Sequence, residues 1–190
     1  VMAGEGPWDM LTQHYHACYG RVTSLDNVPA LKYTLPEHDV TNCVVGLQDR
    51  NLMNLAIAQG YVINYEFYNF KGRLKDAPDL VSYGKKLLDL RSFLSEYLWE
   101  GRFMDTVGVK IKVKDNDVSH PTKYGVFAAK SGKRAVVVAN TSKNETRTVK
   151  VAMDGTNGGC EVHRPGESPR KFAKPPEIRL APESLAVHVQ

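Results

Sequence analysis

The chain has 190 residues, 42% of them apolar and 24% charged, with a formal net charge of +4; this is the composition of a globular protein with a substantial core, in one domain or two small ones. No apolar run reaches bilayer-spanning length, so no membrane partner is expected, and the Lys and Arg residues are too dispersed to mark a nucleic-acid groove. Cys18, Cys43 and Cys160 are too few and too scattered for a disulfide framework or a spaced zinc site, so they read as buried free thiols, with no metal or cofactor implied.

Val1 to Gly4 reads as a truncated strand, and Glu5-Gly-Pro-Trp-Asp9 follows as a turn that sets a carboxylate beside an indole ring. Met10, Leu11, His14, Tyr15, Cys18, Tyr19 and Val22 recur at helical spacing, which predicts a helix from Pro7 to about Thr23. His14 and His16 sit two apart on it and so face different directions, which argues against a metal pair. Asn27 to His38 is a turn-rich connection with a short extended candidate, Ala30 to Leu35, and its Glu37, His38 and Asp39 line a site or form a solvated acidic turn. Val40 to Leu47 has no decisive period. Asp49 suits an N-cap for a helix through Leu52, Met53, Leu55, Ala56 and Ile57 that Gly60 ends.

Gly60 to Gly72 is strongly β-forming. Alternation puts Val62, Asn64, Glu66 and Tyr68 on one face and Ile63, Tyr65 and Phe67 on the other, so one face turns polar toward its C-terminal end. A helix precedes this strand and another follows it, the order of a βα unit, and in such folds ligands meet the C-terminal ends of the strands. Glu66 then either serves a site or caps a neighbouring loop. Asp76 and Pro78 open a long helix whose Leu80, Tyr83, Leu87, Leu90, Leu94, Tyr97 and Leu98 step by threes and fours, and Gly101 suits a positive-φ cap at its end.

From about Arg102 the period changes from helical to two. Val109 to Val113, Tyr124 to Ala129, Arg134 to Ala139, Arg147 to Met153, Cys160 to Arg164, Ile178 to Leu180 and Leu185 to Val189 read as short strands between Gly, Pro and Asn turns, the signature of a small antiparallel sandwich or barrel. The predicted fold class is therefore α/β plus all-β, with a boundary at about residue 103. Asn140-Thr-Ser and Asn144-Glu-Thr fit the glycosylation pattern without further support.

This order of parts resembles the tail of a bacterial (β/α)8 glycoside hydrolase: the last two βα units of its barrel, then the C-terminal β-domain such enzymes commonly carry. The resemblance rests on Glu5-Gly-Pro-Trp-Asp, Asn64-Tyr-Glu-Phe-Tyr68, Tyr97-Leu-Trp-Glu-Gly-Arg-Phe103 and Val136-Val-Val-Ala-Asn-Thr-Ser142. It implies residues 1–103 as the C-terminal portion of a TIM-barrel-like catalytic domain and 104–190 as an antiparallel β-sandwich domain. It further implies Glu5 and Glu66 as catalytic carboxylates, with Trp8, Asn64, Tyr68 and Tyr33 binding an oligosaccharide or glycoside. Glycoside hydrolysis needs two carboxyls flanking the glycosidic bond. A barrel needs eight strands and about 250 residues, so the chain is expected to be a fragment that works with the remainder of the barrel and is inactive alone. The compartment stays open between a bacterial cytoplasm and a secreted or periplasmic location. The alternative reading is a non-catalytic carbohydrate-binding or structural sandwich module.

Overall fold

The computed structural model describes residues 3–5, 14, 17–20, 28–34, 39–44, 49–65, 72–114, 122–155 and 158–190, with the backbone alone described at 3–5, 18–20 and 42–44. Its first half builds a four-stranded, all-parallel sheet in chain order: β1 (Ala3–Glu5), β2 (Ala17–Gly20), β3 (Asp39–Val44) and β4 (Val62–Tyr65). The helices are α1 (Ala30–Thr34), α2 (Arg50–Ala58), α3 (Pro78–Phe93) and α4 (Ser95–Leu98).

Two expectations are corrected here. Ala17–Gly20 lies in a strand, where the apolar spacing predicted helix; a four-residue apolar run satisfies either period, and the backbone partners offered on both sides by β1 and β3 decide for strand. Ala30–Thr34 is helical where an extended segment was expected. Pro29 accounts for it: its carbonyl accepts from Lys32 N at 2.9 Å, and the preset φ of proline suits the opening of a helix. The sheet therefore has four parallel strands rather than two.

Asp49 caps α2 as expected, its carboxylate accepting from Leu52 N at 3.1 Å, but the helix carries no solvent face, since every residue from Asn51 to Ala58 is buried. Gly60, at φ 72°, then turns the chain into β4, a conformation that costs glycine nothing. Asp76 Oδ2 accepts from Arg73 N at 2.9 Å, and Pro78 opens α3. Leu80, Leu87, Leu90, Leu94, Tyr97 and Leu98 are all buried, as their spacing demands. Gly101 is a glycine for another reason than the one expected. It is not among the positive-φ residues; a Cβ there would come 2.3 Å from the Tyr97 carbonyl oxygen.

The second half is antiparallel throughout. β5 (Arg102–Phe103), β7 (Thr122–Ala128), β8 (Arg134–Asn140), β13 (Ser184–Val189), β10 (Cys160–His163) and β11 (Arg170–Phe172) form one sheet in the order β11-β10-β13-β8-β7-β5. β6 (Val109–Val113), β9 (Arg147–Met153) and β12 (Glu177–Leu180) form the other, with β9 central. The inner strands of the larger sheet are buried on both faces. Val126, Val136, Val138 and Ala186 meet Val149, Val151, Ile178 and Leu180 of the smaller sheet, while Phe127, Ala135, Val137, Ala139, Leu185 and Val187 meet Leu52, Ile57, Leu80, Leu87 and Leu94 of the helices. A strand packed on both sides needs no alternation, which is why β8 reads Ala-Val-Val-Val-Ala. The helix-side core thus draws on residues either side of position 103.

Leu87 is fully buried in that core. Leu87→Ala is expected to cost about 2 to 5 kcal/mol, because helix and sheet cannot both collapse into the space left. Urea denaturation measures it; a loss below about 1 kcal/mol would mean that the helix face is not packed as described. The first glycosylation-like motif is structural: Asn140 is fully buried, and its amide donates to the carbonyls of Glu145 (2.7 Å), Leu180 (3.2 Å) and Ala181 (3.0 Å).

Candidate active site

In an all-parallel sheet every C-terminal strand end lies at one rim, and the register fixes which residues reach it. Glu5, the last residue of β1, pairs with Tyr19 of β2, Tyr19 with Thr41 of β3, and Thr41 with Val62 of β4. This row crosses the whole sheet. Two residues further along β4, Asn64 pairs with Cys43, about 6.6 Å nearer the rim at ordinary strand rise. Asn64 is half-buried and engaged by a neighbour.

The other face of β4 belongs to the helices, as alternation predicted: Ile63 packs with Val40, Ala56 and Tyr61, and both Ile63 and Tyr65 pack against the main helix-side core. Val62 and Asn64, of opposite parity, face away from the helices. Glu66, Trp8 and Tyr68 lie outside the described residues, as does the Glu5 side chain. Glu5 and Asn64 are therefore the sequence-predicted site residues that the backbone brings to one rim.

β1, which Glu5 ends, and β4, which precedes Glu66 in the chain, are not neighbours in the sheet, as two successive βα units would have made them. β2 and β3 stand between β1 and β4, so the two strands are three spacings apart, about 14 Å along the sheet. The carboxyl separation of retaining hydrolysis is about 5 to 5.5 Å and that of inverting hydrolysis about 6.5 to 9.5 Å. The two intervening strands were missed because their segments are short and carry no decisive alternation.

Tyr33 sits elsewhere. It lies on α1, ahead of the N-terminal end of β3, and its ring meets Phe103 edge-on at 6.1 Å. A hydrogen bond to Asp105 pushes its pKa up to about 12, with burial and the Asp105 charge adding in the same direction. It belongs to a cleft of about 310 Å³ that also includes Thr122 and Tyr124, between α1 and the sandwich.

A buried polar framework that sequence reading missed holds the parallel layer in place. Arg91 of α3, 3% exposed, donates from Nη1 to the Tyr61 carbonyl at 2.6 Å and from Nε to the Leu98 carbonyl at 3.0 Å. Its guanidinium lies 3.6 Å from the centre of the Trp99 ring. Burial lowers its pKa to about 10, opposed by the charge of Asp39. It ties the residue preceding β4 to the end of α4. Asn54, fully buried in α2, accepts from the Tyr83 hydroxyl of α3 at 2.5 Å. Asn51 donates to the Thr141 carbonyl at 2.9 Å and to Glu183 Oε1 at 3.2 Å, which fastens α2 to the sandwich. The one signal in the sequence was a polar residue at an otherwise apolar helical position, as at Asn54, where burial demands a partner.

No protein-family model and no curated protein matches the sequence. Among solved structures, a GH27 β-L-arabinopyranosidase from Geobacillus stearothermophilus aligns at a TM-score of 0.48 with 11% identity, over 95% of this chain and 46% of that one. A single-residue variant of that enzyme in complex with arabinose aligns at 0.48 with 13% identity, over 97% and 48%. A protein from Bacillus halodurans assigned as an α-N-acetylgalactosaminidase aligns at 0.43 with 14% identity, over 74% and 30%. The chain thus spans less than half the length of each.

Proposed function

We propose that the chain is the C-terminal portion of a glycoside hydrolase, with residues 1–103 contributing βα units to a barrel and residues 104–190 forming the β-sandwich that buttresses them. In this reading Glu5 is one of the two catalytic carboxyls, Asn64 bonds a sugar hydroxyl, and Trp8 and Tyr68 offer aromatic faces to the sugar. Glu66 is either the second carboxyl or a substrate-binding group.

The observation that carries this reading is the register row. Four consecutive parallel strands in chain order make half of an eight-stranded wall, and a glutamate closes the first of them, at the end where ligands meet such sheets. The sheet lies against helices whose outer faces are packed on the sandwich, an arrangement that covers their backs and leaves the face of Val62 and Asn64 for a site.

Hydrolysis would run through a carboxylic acid that protonates the glycosidic oxygen and a carboxylate that attacks the anomeric carbon or activates water. With three strand spacings between β1 and β4, a partner for Glu5 has to face it across a closed wall rather than sit beside it. The 190-residue chain alone is accordingly expected to turn over aryl glycosides poorly or not at all, whereas the chain joined to the remaining barrel strands turns them over. Comparable turnover by the chain alone would overturn the shared-site reading. A non-catalytic module, the second reading, would bind sugar without turnover in either form.

A further inference from the structure

A second cleft lies far along the chain from the strand rim. It is a cleft of about 610 Å³ between the α3–α4 junction and the β10–β11 end of the sandwich, within the range of small-molecule sites. At its edge stands Phe93, the last residue of α3, 70% exposed. The helix breaks at Leu94, and the Phe93 ring leans over the wall with its centre 5.7 Å from the His163 ring. An aromatic side chain this exposed gains little from burial, and nothing in the fold requires it.

The polar lining is balanced in charge. Glu96 and Glu161 face Lys133 and Lys171, with Lys171 Nζ 3.3 Å from Glu161 Oε1. His163 Nε2 lies 3.3 Å from Glu161 Oε2. Burial lowers the His163 pKa, with Glu161 opposing. The buried side-chain oxygen of Gln190 makes no hydrogen bond among the described residues. Buried polar atoms are normally satisfied, and unsatisfied ones call for an explanation.

A cleft without net charge disfavours a phosphate or a polycation. Carboxylate, ammonium and amide groups together offer donors and acceptors that suit hydroxyls, which are both, and an exposed aromatic face suits the C–H face of a sugar ring. We propose that this cleft is a second carbohydrate site, in which a neutral sugar ring lies on Phe93 while its hydroxyls bond Glu161, Lys171 and Gln190. It would hold a polysaccharide by a surface remote from the catalytic rim and does not depend on which carboxylates carry out hydrolysis.

The test is electrophoresis of the full chain through native gels containing galactomannan, arabinogalactan or xylan, with polygalacturonate as the charged comparison. At least one neutral polysaccharide should retard the chain. Phe93→Ala should weaken that retardation by about tenfold, the scale of a lost aromatic contact, with an unchanged melting temperature because the ring is exposed. Lys171→Ala should weaken it as well. No retardation, retardation by polygalacturonate alone, or full retention by Phe93→Ala would each overturn the proposal. So would sedimentation showing that Phe93→Ala changes only self-association, which would make the face an interface between copies. Retardation by a chain whose completed enzyme lacks turnover overturns the catalytic reading alone; turnover without retardation overturns the second site alone.

Discussion

Under the proposed hydrolase reading, Glu5→Gln in the chain joined to the remaining barrel strands is expected to lower kcat by on the order of a thousandfold or more with the melting temperature nearly unchanged. Glutamine keeps the size and hydrogen-bonding reach of glutamate and removes only the charge and the titrating proton, so a structural glutamate would tolerate it. The expectation follows from position. Glu5 ends β1 in register with Tyr19, Thr41 and Val62, at the rim where parallel strands present their ligands, and Gly6-Pro7-Trp8 follows it in the sequence. Steady-state kinetics on an aryl glycoside decide it. Glu66→Gln should lose as much if Glu66 is the second carboxyl and less if it only binds substrate. A Glu5→Gln enzyme within about threefold of the parent would make Glu5 structural and remove it from the site.

The second large effect concerns how the two halves dock. Gly125 lies in β7 against the C-terminal end of α2, and a Cβ added there would come 1.8 Å from the Ala58 carbonyl oxygen and 2.9 Å from its carbonyl carbon. Both obstacles are backbone, so no rotamer change relieves them. α2 is buried along its length, and β7 is held in register by β8 through the Gly125–Val137 pair. Gly125→Ala should therefore destabilise by about 3 kcal/mol or more, a fall in melting temperature of roughly 6 to 12 °C for a chain of this size. Gly158→Ala, where no atom of the described residues lies within 4 Å, should stay within about 0.5 kcal/mol. Equal melting temperatures for the two variants would show that helix and sheet do not meet as described.

The sequence by itself determined the elements whose periodicity is long or whose boundary chemistry is explicit. The leucines from Leu80 to Leu98 could bury only one face of a helix, Asp49 and Pro78 could open helices at little cost, and the change to period two after Arg102 could only be a run of strands. The parity of Val62 and Asn64 against Ile63 and Tyr65 was also legible, because alternation along a strand leaves no choice.

Tertiary structure decided the rest. Ala17–Gly20 and Asp39–Val44 are strands because neighbours on both sides complete their backbone hydrogen bonds, a non-local fact that no short window contains. Those two strands set the distance between β1 and β4. Arg91 and Asn51 became the ties between layers only once folding buried them and obliged them to find the carbonyls of Tyr61, Leu98 and Thr141. The cleft beneath Phe93 likewise joins a helix end to strands some 70 residues later, a juxtaposition created by packing alone.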